Sequence, residues 1–200
     1  MGAPKPDPSA IPDAEIVKLV LGGDLHAFDE LVRRTRHQAY GLARRIMRQH
    51  EDADDVVQES YMKAFRALPR FELDRAFGPW FLTIVGRTAL SQLRRRARRA
   101  AASLDDRVMD EGMTLQERIP DPSQNPEDLQ RVLDVERAFG NLSEEHRAVL
   151  ALRVDADLPY AEIAQTLDIP VGTVMSRLAR AREALLEEVK KQRTARFLRR

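Results

Sequence analysis

Two groups of residues in this 200-residue chain have the types and spacing to bind a polyanion. Arg87, Arg94, Arg95, Arg96, Arg98 and Arg99 place six arginines, and no acid, between residues 87 and 99. Such a run can contact several phosphates at once, and nearby Phe77 and Trp80 could stack on unpaired bases. The same run also fits a solvated helix end, since cations are favoured at the negative pole of the helix dipole, and a lone Trp is more often core than a stacking platform.

The second group lies in Pro159 to Arg182, where two helical patterns are joined by the tight turn Asp168-Ile169-Pro170. The second pattern is rich in small polar and basic residues, as in a helix-turn-helix. With Val174, Leu178, Ala181 and Leu185 on the buried stripe, Gly172, Ser176, Ala179, Arg180 and Glu183 face outward and Thr173, Met175 and Arg177 flank them. Ser176 and Arg180 would then reach base edges, and Thr173 and Arg177 phosphates. Spacing alone fits equally an antiparallel helix pair with a solvated basic face.

A third, polar face carries Asp55, Gln58, Glu59, Met62, Lys63 and Arg66, and the methionine among those polar groups hints at a protein contact. Enzyme chemistry finds no foothold. His26, His37, His50 and His146 are scattered without metal-ligand spacing, and there is no glycine-rich phosphate loop or nucleophile elbow. Asp52, Asp54 and Asp55 crowd a helix start and read as capping. No catalytic residue, metal, cofactor or small-molecule substrate is expected.

The elements that must hold these residues read as helices throughout. Asp13 is expected to cap a helix over Ala14 to Leu21, stopped by Gly22-Gly23. Asp24 would cap a second, running to about His50 on the stripe Phe28, Leu31, Val32, Ala39, Leu42, Ala43 and Ile46. A third opens at Asp52 to Asp55, buries Val57, Tyr61, Ala64, Phe65 and Leu68, and ends at Pro69. Arg70 to Gly78 reads as a loop, and Pro79 suits the first turn of a helix that runs from Trp80 into the arginines. Gly86 inside that helix costs roughly 1 kcal/mol relative to Ala. Ala100 to Gln124 breaks the periodicity, and Asn125-Pro126-Glu127 restarts it with Leu129, Val132, Leu133 and Phe139 inward. Ser143-Glu144-Glu145 starts the next helix, with Val149, Leu152 and Val154 inward. Pro159 starts another, with Ile163, Ala164 and Leu167 inward, and the last spans Gly172 to Val189.

The expected fold is therefore all-α. A disordered segment 1–12 precedes a domain at 13–99; a flexible acidic linker at 100–125 leads to a domain at 126–192 holding the helix-turn-helix; and a basic tail follows at 193–200. Composition agrees: 6% aromatic residues and nine glycines are few for a β-sandwich. The absence of cysteine excludes disulfides and thiolate metal sites and suits a reducing cytosol. Met1 to Asp13 lacks the apolar run of a signal peptide, and no stretch is apolar enough to span a bilayer, so a cytoplasmic protein is expected. Net charge is only +1, but the basic clusters are separated by an acid-rich stretch from Leu104 to Glu136, as expected of distinct phosphate-binding surfaces.

Three stretches together resemble a known family. Asp52-Ala53-Asp54-Asp55-Val56-Val57-Gln58-Glu59-Ser60-Tyr61 is similar to the second conserved region of bacterial sigma factors, and Trp80-Phe81-Leu82-Thr83-Ile84 leading to Leu93-Arg94-Arg95 to the promoter-melting segment that follows. Tyr160-Ala161-Glu162-Ile163-Ala164 through Gly172 to Arg182 resembles the fourth region. The spacing, without a large third region, matches the extracytoplasmic-function (ECF) group. The resemblance implies that Asp55, Gln58, Glu59, Met62 and Arg66 bind the clamp helices of the polymerase largest subunit. It implies that Arg70, Phe71, Phe77, Trp80, Arg87, Arg94, Arg95 and Arg98 serve the −10 element and its melting, the Arg70 to Gly78 loop holding an extruded base. It further implies that Thr173, Met175, Ser176, Arg177, Ala179 and Arg180 serve the −35 element, and that the second domain touches the polymerase flap. Many relatives are held inactive by an anti-sigma protein, often at the membrane.

The chain departs from the family pattern at Val85-Gly86-Arg87, where an Ala and then Arg-Asn are usual, at Ser91, where Asp is common, and at Met175, where Lys or Arg is usual. These departures bear on promoter sequence. Two other classes compete with this reading. A DNA-binding regulator acting without polymerase needs only the helix-turn-helix and leaves the Asp52 to Tyr61 motif unexplained. A helical enzyme or sensor has no convergent acids, bases or ligands behind it.

Overall fold

The computed structural model describes residues 11–102 and 126–197. The acidic stretch expected to link the domains, and the extreme ends of the chain, lie outside the described residues. Within them are eight α-helices, one 3-10 turn and no strand. They are α1 (Asp13–Leu21), α2 (Ala27–Met47), α3 (His50–Ala67), α4 (Phe77–Ala102), α5 (Pro126–Gly140), α6 (Glu144–Val154), α7 (Tyr160–Leu167) and α8 (Val171–Phe197), with the 3-10 turn at Leu68–Arg70. No described helix is long and apolar enough to cross a membrane.

In the first domain α2, α3 and α4 pack on one another and α1 lies against α2. Leu31, Ala39, Leu42, Ala43 and Ile46 of α2 are buried, as the three- and four-residue spacing requires. Helix starts depart from expectation. Asp13 is the first residue of α1, not its cap: Pro12 takes that place, and the Asp13 carboxylate accepts from Arg34 Nη1 at 2.6 Å. The segment after Gly23 coils through short backbone bonds before α2 begins at Ala27, where the Asp24 carbonyl, not a side-chain cap, accepts from the Ala27 N–H at 3.1 Å. α2 stops at Met47 because Arg48 adopts φ 69°, three residues before the expected end. Phe65, expected in the core, is 41% exposed; it packs edge-on against Phe28 at the margin, with ring centroids 5.2 Å apart.

Arg34 clasps α1 to α2. It and Arg33 both donate to Glu30 at 2.7 Å, and these bonds, Arg33's foremost, hold the Glu30 carboxyl at about 2, well below its ordinary 4.5. A depressed carboxyl stabilises the fold above its unfolded value and loses that contribution as pH falls toward the folded one. The stability difference between the parent protein and Glu30→Gln should therefore be constant above about pH 5 and close progressively from there to pH 2. Urea melts at stepped pH measure it, and a difference independent of pH would rule out the charge.

The second domain packs α5 and α6 against α8, with α7 across α8. The helix expected to start at Ser143-Glu144-Glu145 is α6, and the structure shows Ser143 capping it, the hydroxyl accepting from the His146 N–H at 3.3 Å. Val154 is a correction: it is 66% exposed, because α6 ends there and the inward positions are Val149, Leu150, Ala151 and Leu152. Pro159 precedes α7, and Asp168 turns the chain out of it in the left-handed conformation at φ 57°. α8 continues beyond Val189 to Phe197, so the expected basic tail begins as helix.

Candidate nucleic-acid interface

α7 and α8 are joined by three residues, as a helix-turn-helix requires. The first turn of α8 is tied by the Pro170 carbonyl, which accepts from the N–H groups of Thr173 at 2.9 Å and Val174 at 3.1 Å. Val174, Leu178 and Ala181 are buried, so the stripe read from sequence fixes the rotation of the helix. Met175, Ser176, Ala179 and Arg180 are exposed, and Thr173 and Arg177 are half-buried at the flanks. Ser176 donates its hydroxyl to the Thr173 carbonyl at 3.1 Å, leaving the oxygen free to accept. The guanidinium of Arg177 lies 3.2 Å from Glu145 on α6, which holds it at the edge of the face. Arg180 projects from the middle of the exposed stripe.

α4 brings the arginine run along the first domain. Arg87, Arg94, Arg95, Arg96, Arg98 and Arg99 are all exposed. Three are already engaged. Arg95 lies 3.6 Å from Glu59, Arg96 is bonded to Asp52, and Arg94 donates to the Leu167 carbonyl at 3.0 Å. Asp52 is thus a buried tie between α3 and α4 rather than a cap.

The loop expected to cradle a base is shorter than read from sequence. Leu68–Arg70 is a 3-10 turn and α4 already begins at Phe77. Arg70 is exposed at its edge. Phe77, offered as a stacking ring, is fully buried, and Phe71 is 7% exposed. Phe77 packs on Phe71, Trp80 and Phe81 with centroids 5.9, 5.4 and 5.9 Å apart, so its ring is occupied by protein. Trp80 is half-buried beside Phe71 at 4.8 Å and keeps part of its surface outside. A phenylalanine at the start of an amphipathic helix reads the same in sequence whether it faces core or groove.

On α3, Asp55, Gln58, Met62 and Arg66 are exposed on one side of the helix, with Met62 56% exposed. Glu59 differs from them. It takes Lys63 at 2.8 Å, Gln92 at 3.2 Å and Arg95 at 3.6 Å, joining α3 to α4. The bond from Lys63 chiefly, then that from Gln92, holds its carboxyl below the usual range against the opposing effect of burial. Lys63 also donates to Thr88 Oγ1 on α4 at 3.1 Å. The sequence does not reveal these ties; their only trace in it is polar residues at the i, i+4 positions of one helix facing polar positions on another.

The arrangement is two polar and cationic surfaces on separate helical units, plus a mixed polar face bearing an exposed methionine. Residues 31–99 match the family model "Sigma-70 region 2" and residues 133–185 match "Sigma-70, region 4". The chain is 37% identical over 176 residues to the RNA polymerase sigma-H factor of Pseudomonas aeruginosa, covering 86% of this chain and 91% of the relative. It is 38% identical over 181 residues to the ECF RNA polymerase sigma-E factor of Escherichia coli K12, covering 88% and 94%. Among solved structures it resembles CnrH in complex with the cytosolic domain of CnrY, at TM-score 0.57 and 25% identity over 90% of this chain and 97% of that one. The sigma factor RpoE of Bartonella quintana, solved with the anti-sigma factor NepR, shares the fold at TM-score 0.64 and 24% identity over 82% and 96%. With both conserved regions present in order and relatives matched over nearly their full length, the chain belongs to the ECF group of the sigma-70 family, the subunits with which RNA polymerase recognises promoters and begins transcription.

Proposed function

We propose that residues 13–99 and 126–192 act as separate DNA-binding units on one polymerase. The first docks on the clamp helices through Asp55, Gln58, Met62 and Arg66, with Glu59 setting the relation of that face to α4. It engages the −10 element through Arg70, Trp80, Arg87, Arg94, Arg95 and Arg98. The second reads the −35 element through Met175, Ser176, Ala179 and Arg180, with Thr173 and Arg177 on the flanking phosphates, and touches the flap. The observation that carries this reading is the exposed stripe of α8, held outward by the buried Val174, Leu178 and Ala181.

The protein is proposed to catalyse nothing itself: binding free energy recruits polymerase and opens DNA. It acts in the cytoplasm, where an anti-sigma protein, at the membrane or free, restrains it; the inhibitor-bound RpoE and the CnrH complex support a partner of this kind. Run-off transcription with sigma-free core polymerase tests the whole reading. Transcripts from a cognate promoter are expected, and a protein that binds polymerase yet never starts a transcript would count against it. A regulator independent of polymerase would fail to retain core enzyme in a pull-down.

Met62→Glu places a charge at the centre of the proposed docking face. Core polymerase affinity should fall by at least about tenfold, roughly 1.4 kcal/mol, as expected for a central apolar anchor. The melting temperature should not change, because the side chain is exposed. Titration calorimetry and a thermal melt check both halves, and undiminished affinity would move the docking face elsewhere.

A further inference from the structure

The exposed stripe of α8 has two unlike edges. At about 3.6 residues per turn, and with Val174, Leu178 and Ala181 in the core, Ser176 stands opposite the buried side of the helix. Arg180, Thr173 and Arg177 follow around one side of it, and Ala179, Met175 and Val171 around the other. The first edge is hydrogen-bonding and cationic. The second is apolar throughout, because Val171, Met175 and Ala179 are successive members of one i, i+4 row. Val171 is 43% exposed and Met175 55%.

A single exposed methionine or valine is ordinary on a protein surface. This pair is set apart by its place. Both side chains stand on the N-terminal half of α8, the part of a recognition helix that meets base edges in the major groove. Gly172, beside Val171, carries no side chain, and a Cβ built there would meet nothing within 4 Å, so bases can come close to the helix at that turn. The unbranched thioether of Met175 adapts to an irregular surface. Arg177 and Arg180 on the facing edge supply the positive charge that a polyanion needs, which favours DNA over an apolar protein surface as the occupant.

The major groove offers one apolar group to such a row, the methyl of thymine; the other base-edge groups are hydrogen-bond donors and acceptors. Those groups would be left unpaired against Met175 and Val171, so the row selects as well as binds. We infer that Met175, with Val171 beside it, reads the methyl group of a thymine in the −35 element. On this inference α8 recognises an A·T pair through its apolar edge and hydrogen-bonding bases through Ser176 and Arg180. It rests on the assignment of α8 to the −35 element.

The test uses holoenzyme assembled from the full chain and sigma-free core polymerase. Its probe is the duplex selected from a library in which both promoter elements are randomised. The selected −35 element should contain thymine. Each thymine there is then replaced singly by uracil, which removes one methyl and leaves base pairing intact. At one position affinity should fall about fourfold, the equivalent of about 0.8 kcal/mol for one buried methyl. Met175→Lys, at a position too exposed to disturb the fold, should bind the thymine and uracil probes alike and steepen the salt dependence by about one unit. Met175→Leu should keep the difference. A −35 element without thymine, a parent indifferent to uracil at every position, or a Met175→Lys protein as sensitive as the parent would each overturn the inference. So would a Met175→Lys protein that loses affinity for core polymerase alone, which makes the row a protein contact. A holoenzyme that selects no −35 sequence sinks the −35 assignment itself, whereas selection without a response to uracil sinks only the thymine contact.

Discussion

Arg180→Ala is expected to lose between about five- and 150-fold of its discrimination at one position of the −35 element, the equivalent of roughly 1–3 kcal/mol for a bidentate base contact. Rotation of α8 leads to that expectation. Val174, Leu178 and Ala181 are sealed in the core, so the helix cannot turn without exposing them, and Arg180 is held on the outward stripe beside Ser176 and Ala179. Arg177, only three residues away, is drawn aside by Glu145 at 3.2 Å and is better placed for a backbone phosphate. Arg98, on α4, supplies the contrast: its alanine variant should weaken all sequences alike and lower the salt slope by about one unit. Anisotropy titrations against a −35 library at two salt concentrations separate these outcomes. If Arg180→Ala keeps full discrimination, the recognition face lies on other residues of α8.

The second large effect is on stability. Phe77→Ala should destabilise the first domain by about 3–5 kcal/mol, the range for a phenylalanine truncated in a packed core. Phe77 is fully buried and shares ring contacts with Phe71, Trp80 and Phe81, while Phe81 stacks on Tyr61 of α3 at 4.5 Å. Removing its ring leaves a void against Phe71, Trp80 and Phe81. For a domain of this size the melting temperature should fall by more than about 12 °C. Trp80→Ala, whose ring keeps an outer surface, should disturb folding less and promoter opening more. A Phe77→Ala protein that melts like the parent yet cannot open DNA would return that ring to the role first read from sequence.

Much of the candidate site is legible in the sequence. The apolar spacing of α8 located its buried stripe and hence its exposed one, because a helix repeats every 3.6 residues and one face must meet the core. The same rule placed Asp55, Gln58, Met62 and Arg66 outside on α3. Where helices begin was less legible. Asp13 and Asp24 have the chemistry of caps, but Asp13 instead answers Arg34, twenty-one residues on. An acid near a helix start can bond its own backbone or a distant cation, and local sequence does not say which.

The chain's own order of residues determined its helices, their amphipathic faces, and the cationic character of α4 and α8, since these follow from local periodicity and charge. Tertiary structure alone decided that Phe77 is core, that Glu59 and Asp52 hold α3 to α4, and that Gly86 is the point where Leu152 approaches. Each of those depends on which faces meet after the chain folds back, a distance set by packing between residues far apart in sequence.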